Sequence, residues 1–512
     1  MASHPASPAL VAVLLCLPLV VVYYRYVVKR RGRARRPPGP RGLPLVGNAF
    51  DIPAPSEYPW LRYHELCKQY GTDVLRLNAL GTNIIMIDSL RTAVDLLDKR
   101  SSIYSDRPRM IMLNELAGFG WNYGSMHYGD DWRECRKMTH RELHPGALKK
   151  YRPVLLKNAH DFLRRLASGR GALPVHLKHA IGANIMEIVY DIQVLPEHDP
   201  FIRLAEAGQE CIGRSTTGGV YLVEILPFLK NVPAWLPGAG FKRQAAVWRQ
   251  AAEKQLHVAY DDFLRRLNLG KAGDCMAWSL MEEFGTGDPV TEKRLRATTA
   301  TVYLGTLSAS ALHTFFLAMV LHPEVQAKAR EELDRVVGAH RLPTFDDFGS
   351  IPYIDAIVKE VLRWYPIVPI LMPHKLSEDD VYDGYLLEKG SFVMANIWAI
   401  LHDEKRYTDP FAFNPNRFIK DGVLNPEMFD PEEVAFGFGR RVCPGRHLAF
   451  ETVWIMIASV LSCFDIGKPK TEDGQDMELR EDFVSSFVCE PKPFKCEIRP
   501  RSQQHLELFA HP

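Results

Sequence analysis

The chain has 512 residues, 46% of them hydrophobic and 24% charged, with a formal net charge of +2, which is long and apolar enough to bury a large core and excludes a polyelectrolyte or disordered protein. The first 41 residues hold eight basic residues and no acid, so the rest carries −6, which argues against a nucleic-acid partner. Nine cysteines are scattered without CxxC pairs, against zinc or a disulfide framework and in keeping with a reducing cytosolic face.

Residues Ala9 to Val28 form an apolar run of transmembrane length broken only by Arg25. Six basic residues follow between Lys29 and Arg36, which places that side in the cytosol. A cleaved signal peptide fits less well, because no small-residue cleavage site follows the run. Pro37 to Pro44 reads as a stiff, extended spacer. From Gly42 to about Arg501 there is no Gly/Ser run, long single-sign block or internal repeat. The predicted organisation is a luminal N-terminus (1–8), an anchor (9–28), a basic collar and proline-rich hinge (29–44), one mainly α body with a small β lobe (45–501) and a tail (502–512).

Within the body, Asp131 to Lys137 reads as a helix with Trp132 and Arg136 one turn apart, and Arg133, Lys137 and Arg141 draw a basic stripe along it. Glu292 to Leu321 reads as one long, mostly apolar helix. His322 to Gly338 is bracketed by Pro323 and Gly338 as a second. On the helix Ile351 to Trp364, Glu360 and Arg363 share a face, where an isolated pair is usually a weak surface ion pair. Tyr382 to Asn396 reads as short strands and turns around Gly384 and Gly390. Leu448 to Cys463 is too short and too interrupted by Glu451 for a membrane span, so a buried helix is predicted. Met110–Leu116, Leu226–Trp235, Ile367–Met372 and Ser485–Val488 are apolar segments that suit a lipophilic ligand.

The most informative stretch is Phe436-Gly-Phe-Gly-Arg-Arg-Val-Cys-Pro-Gly445. It surrounds Cys443 with what a metal-bound thiolate needs: a helix start after Pro444 and Gly445 whose N–H groups can point at sulfur, an aromatic at Phe436, a turn at Gly439 open to a flat ligand, and a cation at Arg441 able to reach a carboxylate. With every fixed position of FxxGxRxCxG filled, it resembles the cysteine-ligand loop of the cytochromes P-450. The resemblance runs from the anchor to about Arg501 and is similar to the fungal microsomal, O-methylsterigmatocystin oxidoreductase-like group.

That resemblance implies the cytochrome P-450 fold and haem b (iron protoporphyrin IX) on Cys443, with Phe436, Gly439, Arg441 and Gly445 around it. Trp132 and Arg136 look like the family's WxxxR pair for a propionate, and His374 stands where related sequences place a further donor. Glu360 and Arg363 match the ExxR motif and Arg417 the arginine that completes it. The expected PER triplet reads Pro415-Asn416-Arg417, so a network short of one acceptor is predicted. The distal helix departs from the family: a gapless count puts Thr306 at the acid position and Leu307 at the threonine position, with Ser308 following and no carboxylate in Tyr303–Ser310. Thr306 and Ser308 are the candidates for proton relay.

The implied partners are an NADPH-cytochrome P-450 reductase docking on the basic stripe with Arg440 and Arg446, cytochrome b5 as a second donor, and a lipophilic substrate, a fungal secondary metabolite or xenobiotic. The implied location is the endoplasmic reticulum membrane, single-pass, with a cytosolic body. A haem-thiolate isomerase or peroxide-using enzyme, which needs no relay, and a non-catalytic haem- or lipid-binding descendant are the alternatives.

Overall fold

A computed structural model describes residues 35–54, 57–216, 221–285, 287–471 and 473–510. The predicted anchor, 9–28, and most of the basic collar lie outside the described residues. The principal helices are α1 (Pro59–Tyr70), α2 (Asp130–Leu143), α3 (Arg152–Ala167), α4 (Leu173–Tyr190), α5 (Pro200–Thr216), α6 (Gly240–Asn268), α7 (Pro289–Tyr303), α8 (Ser308–Leu321), α9 (Pro323–Val336), α10 (Pro352–Trp364), α11 (Arg446–Cys463) and α12 (Gln503–Ala510). The β lobe is a mixed four-stranded sheet. Val74–Ala79 (β1) pairs antiparallel with Thr82–Ile87 (β2), β2 runs parallel to Phe392–Ala395 (β4), and β4 pairs antiparallel with the short His374–Lys375 (β3).

The helical half is held by α11, which packs on α3, α8, α9 and α10. Its apolar residues surround the whole helix, and Val453 to Val460 are buried, as befits an interior element. Glu451 is accommodated there because Arg152 of α3 grips it with two hydrogen bonds, 2.7 and 3.0 Å. Proline and glycine bound α9 as predicted, with Gly338 left-handed at φ 78° and its N–H donated to Leu333 O.

Three expectations are corrected. The stretch Glu292–Leu321 is two helices: Leu304 to Leu307 interrupt it between α7 and α8. Gln209 of α5 donates from its amide nitrogen to Leu304 O (3.2 Å) and to the Thr306 hydroxyl, so backbone and side-chain acceptors at the break are satisfied from a neighbouring helix. The hinge, expected to be a stiff, extended spacer, is docked on the β lobe: Arg76 N donates to Pro38 O at 2.8 Å, Leu386 N donates to Arg35 O at 2.8 Å, and an added Cβ on Gly39 would stand 2.0 Å from Arg76 O. The segment set apart as a tail forms α12, whose Phe509 packs on Phe464 at 5.8 Å and whose carbonyl accepts Arg164.

Candidate active site

The loop 436–445 turns back on itself through Cys443 N–H, which donates to Phe436 O at 2.8 Å, and leads through Gly445 directly into α11. Among the described cysteines Cys443 alone is exposed, yet it is enclosed enough for burial to push its thiol up. Its free surface therefore faces inward. Against that burial work a hydrogen bond from Gly445 N–H and the charges of Arg136 and Arg446. A coordinating metal would tip the balance to thiolate, since a bound cation deprotonates a thiol outright.

The structure gives Gly439 a requirement of its own beside the predicted one. At φ 55°, its missing Cβ would lie 2.2 Å from Leu97 O and 3.1 Å from Ser101 Cβ. The loop thus packs against the backbone of the Val94–Lys99 helical turn, and no side chain fits between them.

Beside the loop lies an unusual gathering of cations. Arg441 stacks on Trp132, 4.4 Å from the ring centroid, and donates to Ser105 O (2.7 Å), Met126 O (2.8 Å) and Tyr123 O (3.2 Å). Arg107 donates to Gly124, Met372 and Pro373 carbonyls and is 5% exposed. Burial holds both guanidinium groups below their ordinary range, Arg441 at about 10; the charge of Arg441 lowers Arg107 further, and that of Arg136 lowers Arg441. Arg136 has no hydrogen-bond or ion-pair partner among the described residues, and burial lowers it too. His374, 1% exposed, donates Nδ1–H to Tyr104 O at 2.6 Å, while its Nε2 has no partner. Three arginines with mostly neutral partners and an orphaned ring nitrogen form a site short of anions. The sequence pointed to Trp132, Arg136, Arg441 and His374 but not to Arg107. Nothing local distinguishes a buried arginine before a proline.

The ExxR pair and Arg417 assemble at the core. Arg363 donates Nε and Nη2 to the two Glu360 oxygens (2.6 and 2.9 Å), Arg417 Nε reaches Oε1 at 3.2 Å, and Asn414 N reaches the same oxygen at 2.7 Å. The predicted missing acceptor is corrected. Arg417 spends its other donors on Thr408, Asp409 and Ala412 carbonyls, and Asn416 points outward to Lys328 Nζ at 2.5 Å. The lost carboxylate belonged to a surface contact.

Arg133, Lys137 and Arg141 are exposed along α2, and Arg133 and Arg440 both lie over the Tyr128 ring, at 5.5 and 5.4 Å. Stripe and ligand loop therefore share one face rich in basic residues, on which Arg133, Lys137 and Arg141 pair with Asp130, Glu134 and Glu283. Two cavities border one another, the larger of them at the break. One of about 550 Å³ is lined by Thr306, Leu307, Ser310, Val488 and Glu490 among others. A second of about 240 Å³ is walled by Met110, Ile225, Ile370, Leu371 and Phe487, bringing three of the four predicted apolar segments together, while Leu226–Trp235 contributes no lining residue and mostly turns outward. Ser486 and Tyr221 border both. Thr306 accepts from Gln209, and Ser308 opens α8 almost buried. Gln209, Ser310 and Glu490 carried no sequence signal.

A helical body around an inward-facing thiol and an arginine cradle is the architecture of a cofactor-dependent oxidoreductase. The family model described as Cytochrome P450 matches residues 37–498. The tryptamine 4-monooxygenase of Psilocybe cyanescens is 39% identical over 509 residues, 98% of this chain and 100% of that one. Cytochrome P450 monooxygenase 98 of Postia placenta is 39% identical over 487 residues, 93% of each chain. A zebra fish cytochrome P450 solved with abiraterone shares the fold at a TM-score of 0.68 and 23% identity, covering 87% of this chain and 100% of that one. The chain belongs to the cytochrome P450 family, monooxygenases whose cofactor is haem b. The cradle fits that group: its two propionates would supply the anions that Arg107, Arg136 and Arg441 lack.

Proposed function

We propose that Cys443 is the axial ligand of the haem iron in a membrane-anchored monooxygenase that oxidises a lipophilic small molecule with electrons from NADPH. The observation that carries this is the sulfur itself, the one exposed cysteine among those described, facing inward under the Gly445 N–H and the charges of Arg136 and Arg446. Bound haem supplies reductive activation of O₂ and insertion of one oxygen atom into a C–H bond. Cys443 contributes a full negative charge that its N–H donor and arginines stabilise. Trp132, Arg136, Arg441, His374 and Arg107 bind and orient the propionates, Phe436 and Gly445 shape the sulfur side, and Glu360, Arg363 and Arg417 keep the neighbouring chain rigid.

On the distal side Gln209 engages Thr306 and holds the helix break open, leaving the Thr306 and Ser308 hydroxyl protons as groups able to move a proton toward the cavity. The basic face of Arg133, Lys137, Arg440 and Arg446 suits an acidic electron donor, an NADPH-dependent diflavin reductase, with cytochrome b5 as a second donor. The N-terminal apolar run and basic collar support a single-pass anchor in the endoplasmic reticulum. Strongly exposed apolar side chains, Leu45 at 91% and Trp235 at 78%, support contact of the body with the bilayer.

The test is turnover of the purified protein with reductase, NADPH and a panel of lipophilic compounds. Product formed in proportion to NADPH consumed is expected. Product without NADPH would favour the isomerase or peroxide-using reading, and no product with any compound the non-catalytic one.

A further inference from the structure

The 550 Å³ cavity carries a charge its walls do not balance. Five charged side chains line it. At its mouth Lys178 pairs with Glu206 and Arg214 with Glu210, each at 3.4 Å and each partly exposed. Glu490 is left over. Among the described residues its carboxylate has no cationic partner and accepts only the Ser310 hydroxyl, at 3.5 Å. Nearby wall positions, Leu307, Ala309 and Val488, are apolar. A carboxylate with one long hydrogen bond keeps an uncompensated charge, which a neutral ligand leaves in place. A cation offsets it, because attraction between opposite charges at contact strengthens as water is excluded.

We propose that Glu490 selects a protonated amine: the substrate is a lipophilic amine whose N–H⁺ donates to the Glu490 carboxylate, steadied by Ser310, while its apolar body lies against Leu307 and Val488. This deepens the monooxygenase reading above and rests on it. Glu490 lies about 180 residues from the helix it faces, and it supplies the carboxylate that the distal helix lacks.

The test is calorimetric binding of N,N-dimethyl-4-phenylbutylamine, a tertiary amine that coordinates iron poorly, against 4-phenylbutan-1-ol, using the haem-loaded full chain at neutral pH in low and high salt. Wild type is expected to bind the amine about ten-fold or more tightly than the alcohol, with the preference shrinking in salt. Glu490→Gln is expected to abolish the preference and leave the alcohol within about two-fold, while Glu490→Asp keeps most of it. Equal wild-type binding of amine and alcohol overturns the proposal whether or not the variants fold. So does parallel loss of both in Glu490→Gln, or unchanged amine affinity with a raised peroxide-to-product ratio, which would make Glu490 a proton conduit. In those cases oxidation of neutral lipophiles coupled to NADPH would leave the monooxygenase reading standing, whereas a wild type without a thiolate-type carbon-monoxide spectrum would refute that reading whichever compound binds.

Discussion

Glu360→Gln keeps the side chain's volume and one acceptor oxygen but removes a charge that serves Arg363 twice, Arg417 once and the Asn414 N–H. The Glu360 and Arg363 side chains are both 0% exposed, so water cannot take the lost partner's place. Removing one member of a buried ion pair costs about 3–5 kcal/mol, a large share of a typical ~5–15 kcal/mol stability. At a urea m-value of about 3 kcal/mol/M the unfolding midpoint falls by roughly 1–2 M. Asn416→Glu is the matched control: it restores the family's carboxylate, but at an exposed site facing Lys328, where the gain is at most ~1 kcal/mol. Urea unfolding followed by far-UV dichroism measures both. A loss below ~1 kcal/mol for Glu360→Gln, or a gain above ~2 kcal/mol for Asn416→Glu, would show that the network is not built as described.

Gly439→Ala forces a methyl against Leu97 O in a left-handed conformation that alone costs about 1–2 kcal/mol. Soret absorbance per folded chain is expected to drop, and a fully haem-loaded variant would contradict the packing argument. Leu307→Thr places a hydroxyl on the wall of the distal cavity, and the product-to-peroxide ratio per NADPH is expected to rise; no change, or loss of product, counts against a relay-limited enzyme. Burial pushes His313 down to about 4, with Lys178 adding to it, and His402 down to about 3, with Arg363 adding to it. Both folded values lie below the ~6.5 of an unfolded histidine, so the unfolded chain binds more protons and stability is lost as pH falls from about 6.5 toward 4 and 3. Each contributes a slope of up to ~1.4 kcal/mol per pH unit. His313→Phe, which keeps the stack on Phe494 at 5.0 Å, is expected to roughly halve the two histidines' joint slope between pH 6.5 and 5; an unaltered slope would mean that His313 titrates normally.

What the sequence revealed follows from how local each cause is. The loop around Cys443 and the helix at Pro323–Val336 are written in short patterns, a ligand with its neighbours and a proline-to-glycine bracket, that act within one or two turns. The spacing of Glu360 and Arg363 showed a shared face, and the burial that makes the pair strong came only with Arg417 and three loop carbonyls packed around it. The break at Leu304–Leu307 was under-read: Gly305 and Thr306 are poor helix formers, and the groups freed there are claimed by Gln209 from another helix. Arg107 and Glu490 acquire meaning only through distant neighbours, the first beside Arg441 and His374, the second opposite Ser310. Even Gly439, fixed by the motif, owes its identity to the carbonyl of Leu97.

The account turns on sulfur at position 443. Reduced protein treated with carbon monoxide is expected to show the strongly red-shifted Soret band of a thiolate-ligated haem, and Cys443→Ser, with far-UV dichroism unchanged, is expected to lose it. A wild-type protein that is folded and haem-supplied yet lacks that band, or a Cys443→Ser protein that keeps it, would contradict the assignment.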